Sequence, residues 1–247
     1  MNLLRNEQSN LTFDQWNNLS NVVSRFDQYS GLRLANDYLQ EQMSLPPNYR
    51  FKLSSVNRFL SQLMEQVQLV FEKNRDAQSI SLHDRRLLLR NTVECTTSFG
   101  CAVLFQQSQL FNQPLFVQSV ENLFENTSVN FVQRLIEHLD PDIFFLKISF
   151  SLMSCFISNY TIYAHQVPTY LDNDKSIFQL EGIYAELVWR YLLHRYGHRQ
   201  AVLSFSNLIR CYLLLNETVV QAHDVAQYAA IINIVVRATE EKLHNSS

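Results

Sequence analysis

Glycine and proline, the residues that most often punctuate a fold, number only four and five among 247. Sandwiches and barrels of β-strands reverse direction at short intervals and use such residues at their turns, whereas long helices exclude both from their interiors. The scarcity predicts an all-α chain. Hydrophobic residues make up 47% of it, enough for a large core, and no shift in composition divides it, so residues 1–247 are expected to form one domain. No repeat of roughly 20 to 50 residues signals a solenoid, so the bundle is expected to be irregular.

A formal charge of −3, from 20 basic and 23 acidic residues, gives no overall footprint for nucleic acid or an anionic membrane. The strongest apolar run, Ile143 to Ile157, contains Lys147 and three serines and is too short to span a bilayer comfortably, which predicts a buried central helix. Cys95, Cys101, Cys155 and Cys211 lie far apart without a Cys-x-x-Cys pair, and read as core thiols of an intracellular protein. The opening Met1 to Glu7 turns polar too early for a secretory signal peptide.

Apolar residues at three- and four-residue steps predict helices over Leu11–Phe26, Leu32–Met43 and, most clearly, Ser54–Lys73, where Val56, Phe59, Leu60, Leu63, Met64, Val67, Val70 and Phe71 form one stripe. After a polar connector, Asn74–Ser81, the tract from Leu82 to Phe105 is apolar or small around most of its circumference, the mark of a helix buried on all sides. Leu110–Gln118, with Pro114 between two phenylalanines, is the one place for a short hairpin. Further helices are expected over Asn130–Leu139, Pro141–Tyr163, Lys175–Tyr196, Arg199–Val220 and His223–Leu243, with Gly197 breaking the chain between two of them.

Catalytic signatures are absent: no Gly-rich phosphate loop, no Gly-x-Ser-x-Gly elbow, no His-Glu-x-x-His motif. His194 and His198 stand four apart, but Gly197 interrupts the helix between them and no third zinc ligand is near in sequence. His83 and His223 read as capping or surface groups. No enzyme, metal or cofactor is expected.

Phe71-Glu72-Lys73, a connector, and then Ile80-Ser-Leu-His-Asp84-Arg-Arg-Leu87-Leu-Leu-Arg90 resembles the signature of nuclear-receptor ligand-binding domains, in which Phe/Trp-Ala-Lys precedes Phe-x-x-Leu and Asp-Gln-x-x-Leu-Leu. Phe71, Lys73, Ile80, Asp84, Leu88 and Leu89 match by type, while Glu72, Ala77 and Arg85 depart from the pattern. Downstream, Tyr184-Ala-Glu-Leu-Val-Trp-Arg-Tyr191, Arg195-Tyr196-Gly197 and Leu208-Ile209-Arg210 look like the family's helices 9 and 10, and Leu146-Lys147-Ile148 fits its helix 8.

The resemblance implies a three-layer antiparallel helical sandwich of about ten to twelve helices with at most one short β-hairpin. It also implies a nuclear transcription regulator that binds a small lipophilic ligand and a Leu-x-x-Leu-Leu coregulator helix, dimerises with itself or with another nuclear receptor, and touches DNA only through a separate zinc module outside this chain. The coregulator groove would use Lys73 and Arg90 with Val67, Val70 and Leu87, its cations meeting the unpaired carbonyls at the peptide's C-terminus. The glutamate that meets the peptide's other end falls at Arg237, within Ile234–Thr239, which predicts weak recruitment of activating peptides; a shift of one turn would bring Glu240 or Glu241 there instead. A ligand pocket would draw on Leu60, Leu63, Met64 and Val67, on Cys95, Ser98, Phe99 and Ala102, and on Leu214. The dimer face would include Leu208, Ile209, Arg210 and Tyr212, in a near-heptad series with Val202, Phe205, Leu215 and Val219. The rival reading is a ligand-independent helical interaction module.

Overall fold

A computed structural model describes residues 11–156, 162 and 171–245. Among these the chain is all-α, with no strand: α1 Phe13–Tyr29, α2 Leu32–Ser44, α3 Leu53–Glu72, α4 Arg75–Gln78, α5 Leu82–Ser108, α6 Pro114–His138, α7 Ile143–Met153, α8 Asp174–Ala222 and α9 Ala226–Asn245. Two of these are broken. Glu125 in α6 adopts φ 66°, and Gly197 in α8 adopts φ 73°, the breaker the sequence predicts. The expected helix over Pro141–Tyr163 is ordered as α7 from Ile143, and residues 157–161 and 163 lie outside the described set.

Several starts are dictated locally. Thr12 and Gln15 form a reciprocal capping box on α1, Ser81 accepts the Asp84 amide at the head of α5, and Asp142 accepts the amides of Phe144 and Phe145 at the head of α7. The expected hairpin is not formed. Gln109, at φ 57°, ends α5, Leu110–Asn112 makes one 3-10 turn, and Pro114 opens α6 at a first-turn position where its missing N–H costs nothing. Phe111 and Phe116, which suggested strand spacing, instead join an edge-to-face ring cluster with Phe105.

α5 packs against α3 on one side and α8 on the other, while α2, α6, α7 and α9 also touch it, so it forms the middle of three layers. Two-thirds of its residues are buried, from Asp84 to Ser108. Close approach of α3 depends on Gly100: a Cβ there would run into Val67 and sit 3.2 Å from Phe150. Polar ties set the outer layers. Asp84 accepts the amides of Asp172 (2.7 Å) and Asn173 (3.0 Å) in the segment entering α8. Tyr184 of α8, wholly buried, accepts from Asn74 at 2.7 Å and donates to Asp76 at 2.8 Å. Lys147 of α7 pairs with Asp27 of α1. All four cysteines are buried and free.

Gly100→Ala tests the spacing of the two central helices. Alanine gains roughly 1 kcal/mol in helix propensity, but the clash with Val67 should outweigh it and leave the variant about 1–3 kcal/mol less stable. Urea unfolding measures this, and an unchanged or higher midpoint would mean that α3 and α5 are free to separate.

Candidate functional site

α9 leaves α8 through a sharp bend of 109° and lies across α3 and α5. Its buried stripe, Tyr228, Ile231, Ile232, Val235, Val236, Thr239 and Leu243, recurs at helical steps, so one helix closes two features in succession. Its first turn lies over a cavity and its last turns over a charged cleft.

The cleft, of about 350 Å³, is lined by Arg86 and Arg90 of α5 and by Arg237, Glu240 and Glu241 of α9. Arg90 Nε donates to Glu240 Oε1 at 2.7 Å, with both side chains partly buried. Glu240, one turn beyond Arg237, is thus engaged by Arg90. Arg237 is exposed at the rim. Lys73, the C-cap of α3, is exposed as well, but the apolar floor expected between it and Arg90 is not open: Val67, Val70 and Leu87 are all buried. Val67 faces Gly100 within the α3–α5 contact, so it belongs to the core rather than to a groove.

Glu72 occupies the position where the signature has alanine, and it is buried at the end of α3 under α9. Desolvation pushes its carboxyl up to about 7; Lys242, Lys73 and Thr239 pull the other way without cancelling it, and one of its oxygens has no hydrogen-bond partner. Deeper still, Glu94 of α5 accepts the Ile162 amide at 2.8 Å and lies 2.7 Å from His223 Nε2 at the α8–α9 bend. Its burial raises the carboxyl pKa, and those two contacts oppose the rise. His223, expected as a capping or surface group, is the C-cap of α8 and in addition ties the elbow to the central helix.

No protein-family model matches the chain, and no curated protein matches it.

The cavity, about 70 Å³, is bounded by α3, α5, α6, the end of α8 and the start of α9. Leu60, Met64 and Ser98 line it, as expected. Leu63, Val67, Cys95, Phe99, Ala102 and Leu214 do not; they pack as plain core. Cys101, Phe105, Phe111, Phe124 and Tyr228 take their place in the lining. Spacing alone does not separate the two sets, because Cys95 and Ala102 stand three and four residues from Ser98 just as Cys101 stands three from it. Tyr228 carried no signal either, since only the bend after α8 brings it there.

Of the expected dimer residues, Leu208 is buried, Tyr212 half-buried, and Ile209 and Arg210 exposed; Leu215 and Val219 also point inward. The outward apolar face of α8 keeps Val202 and Ile209 of the expected series and adds Leu203, Leu213 and Val220. His194 and His198 flank the Gly197 break and meet different rings, those of Trp16 and Trp189, each at 6.2 Å. His83, Asp84 and Asp172 bring donor atoms within 4.8 Å of one another. Both Asp84 oxygens already accept amides there, and Ser81 donates to Asp172 at 3.2 Å, so this cluster ties a loop in place.

Glu72 gives the site a pH signature. Its folded pKa of about 7 exceeds its ordinary 4.5, so the folded chain holds a proton that the unfolded chain has released, and stability falls as pH rises through that window. Glu72→Gln should therefore gain on the order of 2 kcal/mol over the natural chain at about pH 8 and almost nothing near pH 4. Urea melts across that range measure the difference, and a gap independent of pH would refute it.

Proposed function

We propose that the chain is a regulatory domain of the nuclear-receptor ligand-binding type, acting in transcription by binding a small lipophilic molecule and a coregulator helix. One observation carries the reading: a single terminal helix closes an interior cavity with Tyr228 and, farther along, pairs with Arg90 through Glu240. An occupant of the cavity can thereby alter what the surface offers. The two stretches that resemble the family also meet in space, through the hydrogen bond from Asn74 to Tyr184, 110 residues apart in sequence. Contact with DNA would belong to a separate module, and the site of action would be the nucleus.

In this reading the domain recruits activating peptides poorly. Arg90 is engaged by Glu240, the apolar floor is covered, and Arg237 sets a cation where the N-terminal, positive end of a docked helix would lie. Titrating a fluorescent Leu-x-x-Leu-Leu peptide should give weak binding to the natural chain and binding several-fold tighter to Arg237→Glu, a gain of about 1 kcal/mol. Tight binding by the natural chain, unchanged in the variant, would overturn the proposal.

The smallness of the cavity favours a second reading, a helical interaction module that works without ligand. Both readings share a partner surface on α8, where Val202, Ile209, Leu213 and Val220 are exposed at steps of seven, four and seven residues, positions that a heptad seam would use. A second copy, or a related receptor, would cover it. Light scattering across a dilution series should show a dimer for the natural chain and a monomer for Leu213→Glu, whose position is exposed and bears no load in the core. A natural chain that stays monomeric at high concentration would remove self-association.

A further inference from the structure

The cavity beneath α9 has a chemistry of its own. Leu60 and Met64 of α3, Cys101 of α5 and Phe124 of α6 make its walls apolar, and no acidic or basic side chain is among its lining residues. Four hydroxyls line it, those of Ser98, Ser128, Thr218 and Tyr228. Thr218 donates to the Leu214 carbonyl at 2.8 Å, while the buried Tyr228 hydroxyl makes no hydrogen bond of regular geometry and has the Ser98 hydroxyl as its polar neighbour. A buried donor without a well-formed hydrogen bond costs about 1–3 kcal/mol, so the fold sustains a defect that an acceptor inside the cavity would repair.

The surroundings restrict that acceptor. Burial and the nearby Glu94 carboxylate push the Tyr228 phenol well above its ordinary pKa, and burial pushes the Cys101 thiol up to about 12, so both stay neutral. An anion entering here would lose its hydration and find no counter-charge, with Glu94 on the same helix repelling it. A cation would have to compete with His223, which already lies 2.7 Å from Glu94. Size restricts it further: about 70 Å³ is under half the roughly 150 Å³ of an engineered cavity that takes up benzene, and corresponds to about four to six non-hydrogen atoms.

Resting on the reading of the chain as a ligand-binding domain, we propose that this cavity binds a small, uncharged, mainly apolar molecule carrying one oxygen that accepts a hydrogen bond from Tyr228. Carboxylic acids are excluded from it. Because Tyr228 belongs to the last helix, the bound oxygen fastens α9 directly rather than through intervening side chains.

Isotope-labelled methionine methyl resonances test this on the full chain, since Met64 lines the cavity, Met43 is exposed, and Met153 lines a separate pocket between α7 and α8 and so reports any binding there. The probes are xenon, isobutanol and isobutyrate. Xenon and isobutanol should shift the Met64 methyl saturably, with a concentration dependence of its own whatever Met153 reports from its separate pocket, and leave Met43 in place, and isobutyrate should leave Met64 unmoved. Tyr228→Phe should weaken isobutanol several-fold and leave xenon binding unchanged, with an unaltered Met153 resonance reporting an intact fold. A response to isobutyrate equal to that of isobutanol, an isobutanol affinity unchanged in Tyr228→Phe, or a response to xenon alone would overturn the proposed ligand class while leaving the ligand-binding reading intact. No Met64 response to any probe would overturn both.

Discussion

α5 has almost no face turned to water, and that single fact organises the molecule. A helix buried on nearly every side still carries polar residues, and each must find a partner inside the protein or cost several kcal/mol. Its threonines turn back on their own helix: Thr92 donates to the Leu88 carbonyl at 2.9 Å and Thr97 to the Val93 carbonyl at 2.6 Å. Its carboxylates cannot do this, because the carbonyls of a helix offer no donors. Asp84 therefore captures the amides that lead into α8, and Glu94 captures the Ile162 amide and the His223 ring. The outer layers are held where these two carboxylates need them.

The same constraint separates what the sequence reveals from what it hides. The stripe on α3 and the all-round apolar character of α5 are periodic, so both helices are legible to within a few residues. Gly197 is legible too, because glycine tolerates φ 73° and its presence in a helical tract advertises a break. Glu125 breaks α6 at φ 66° with no such advertisement, since glutamate rarely adopts that conformation. The Leu110–Gln118 stretch misleads for a related reason. Pro114 between phenylalanines fits a hairpin or the first turn of a helix equally well, and the ring cluster around Phe116 decides between them.

Site residues follow the same division. Leu60, Met64 and Ser98 were recognisable as one inward face, but the spacing could not tell cavity wall from solid core, because both are apolar and both recur at helical steps. Which of them faces empty space depends on side-chain volumes contributed by α6 and α9, far away in sequence. Arg90 was recognisable from its motif, whereas its partner depended on register. Glu240 and Arg237 stand three residues apart on neighbouring turns, and the seating of Thr239 and Val236 against α3 and α5 points Glu240 toward Arg90 and leaves Arg237 at the rim.

Tyr228 and Glu240 are twelve residues apart on α9, a separation of about 18 Å along one uninterrupted helix, with their side chains rotated by roughly a third of a turn. A helix of this length does not compress, so a force on Tyr228 reaches Glu240 as a shift or tilt of the whole rod rather than fading through intervening packing. The elbow before it, three residues between α8 and α9, is where such a tilt would be absorbed, and His223 restrains that elbow against Glu94. The cavity, the elbow and the cleft thus share one mechanical element that meets α5 at three points: Tyr228 among the α5 side chains Ser98 and Cys101, His223 on Glu94, and Glu240 on Arg90. Loosening any one of them changes the load on the other two, and that is the physical basis on which the proposed ligand would act on the cleft.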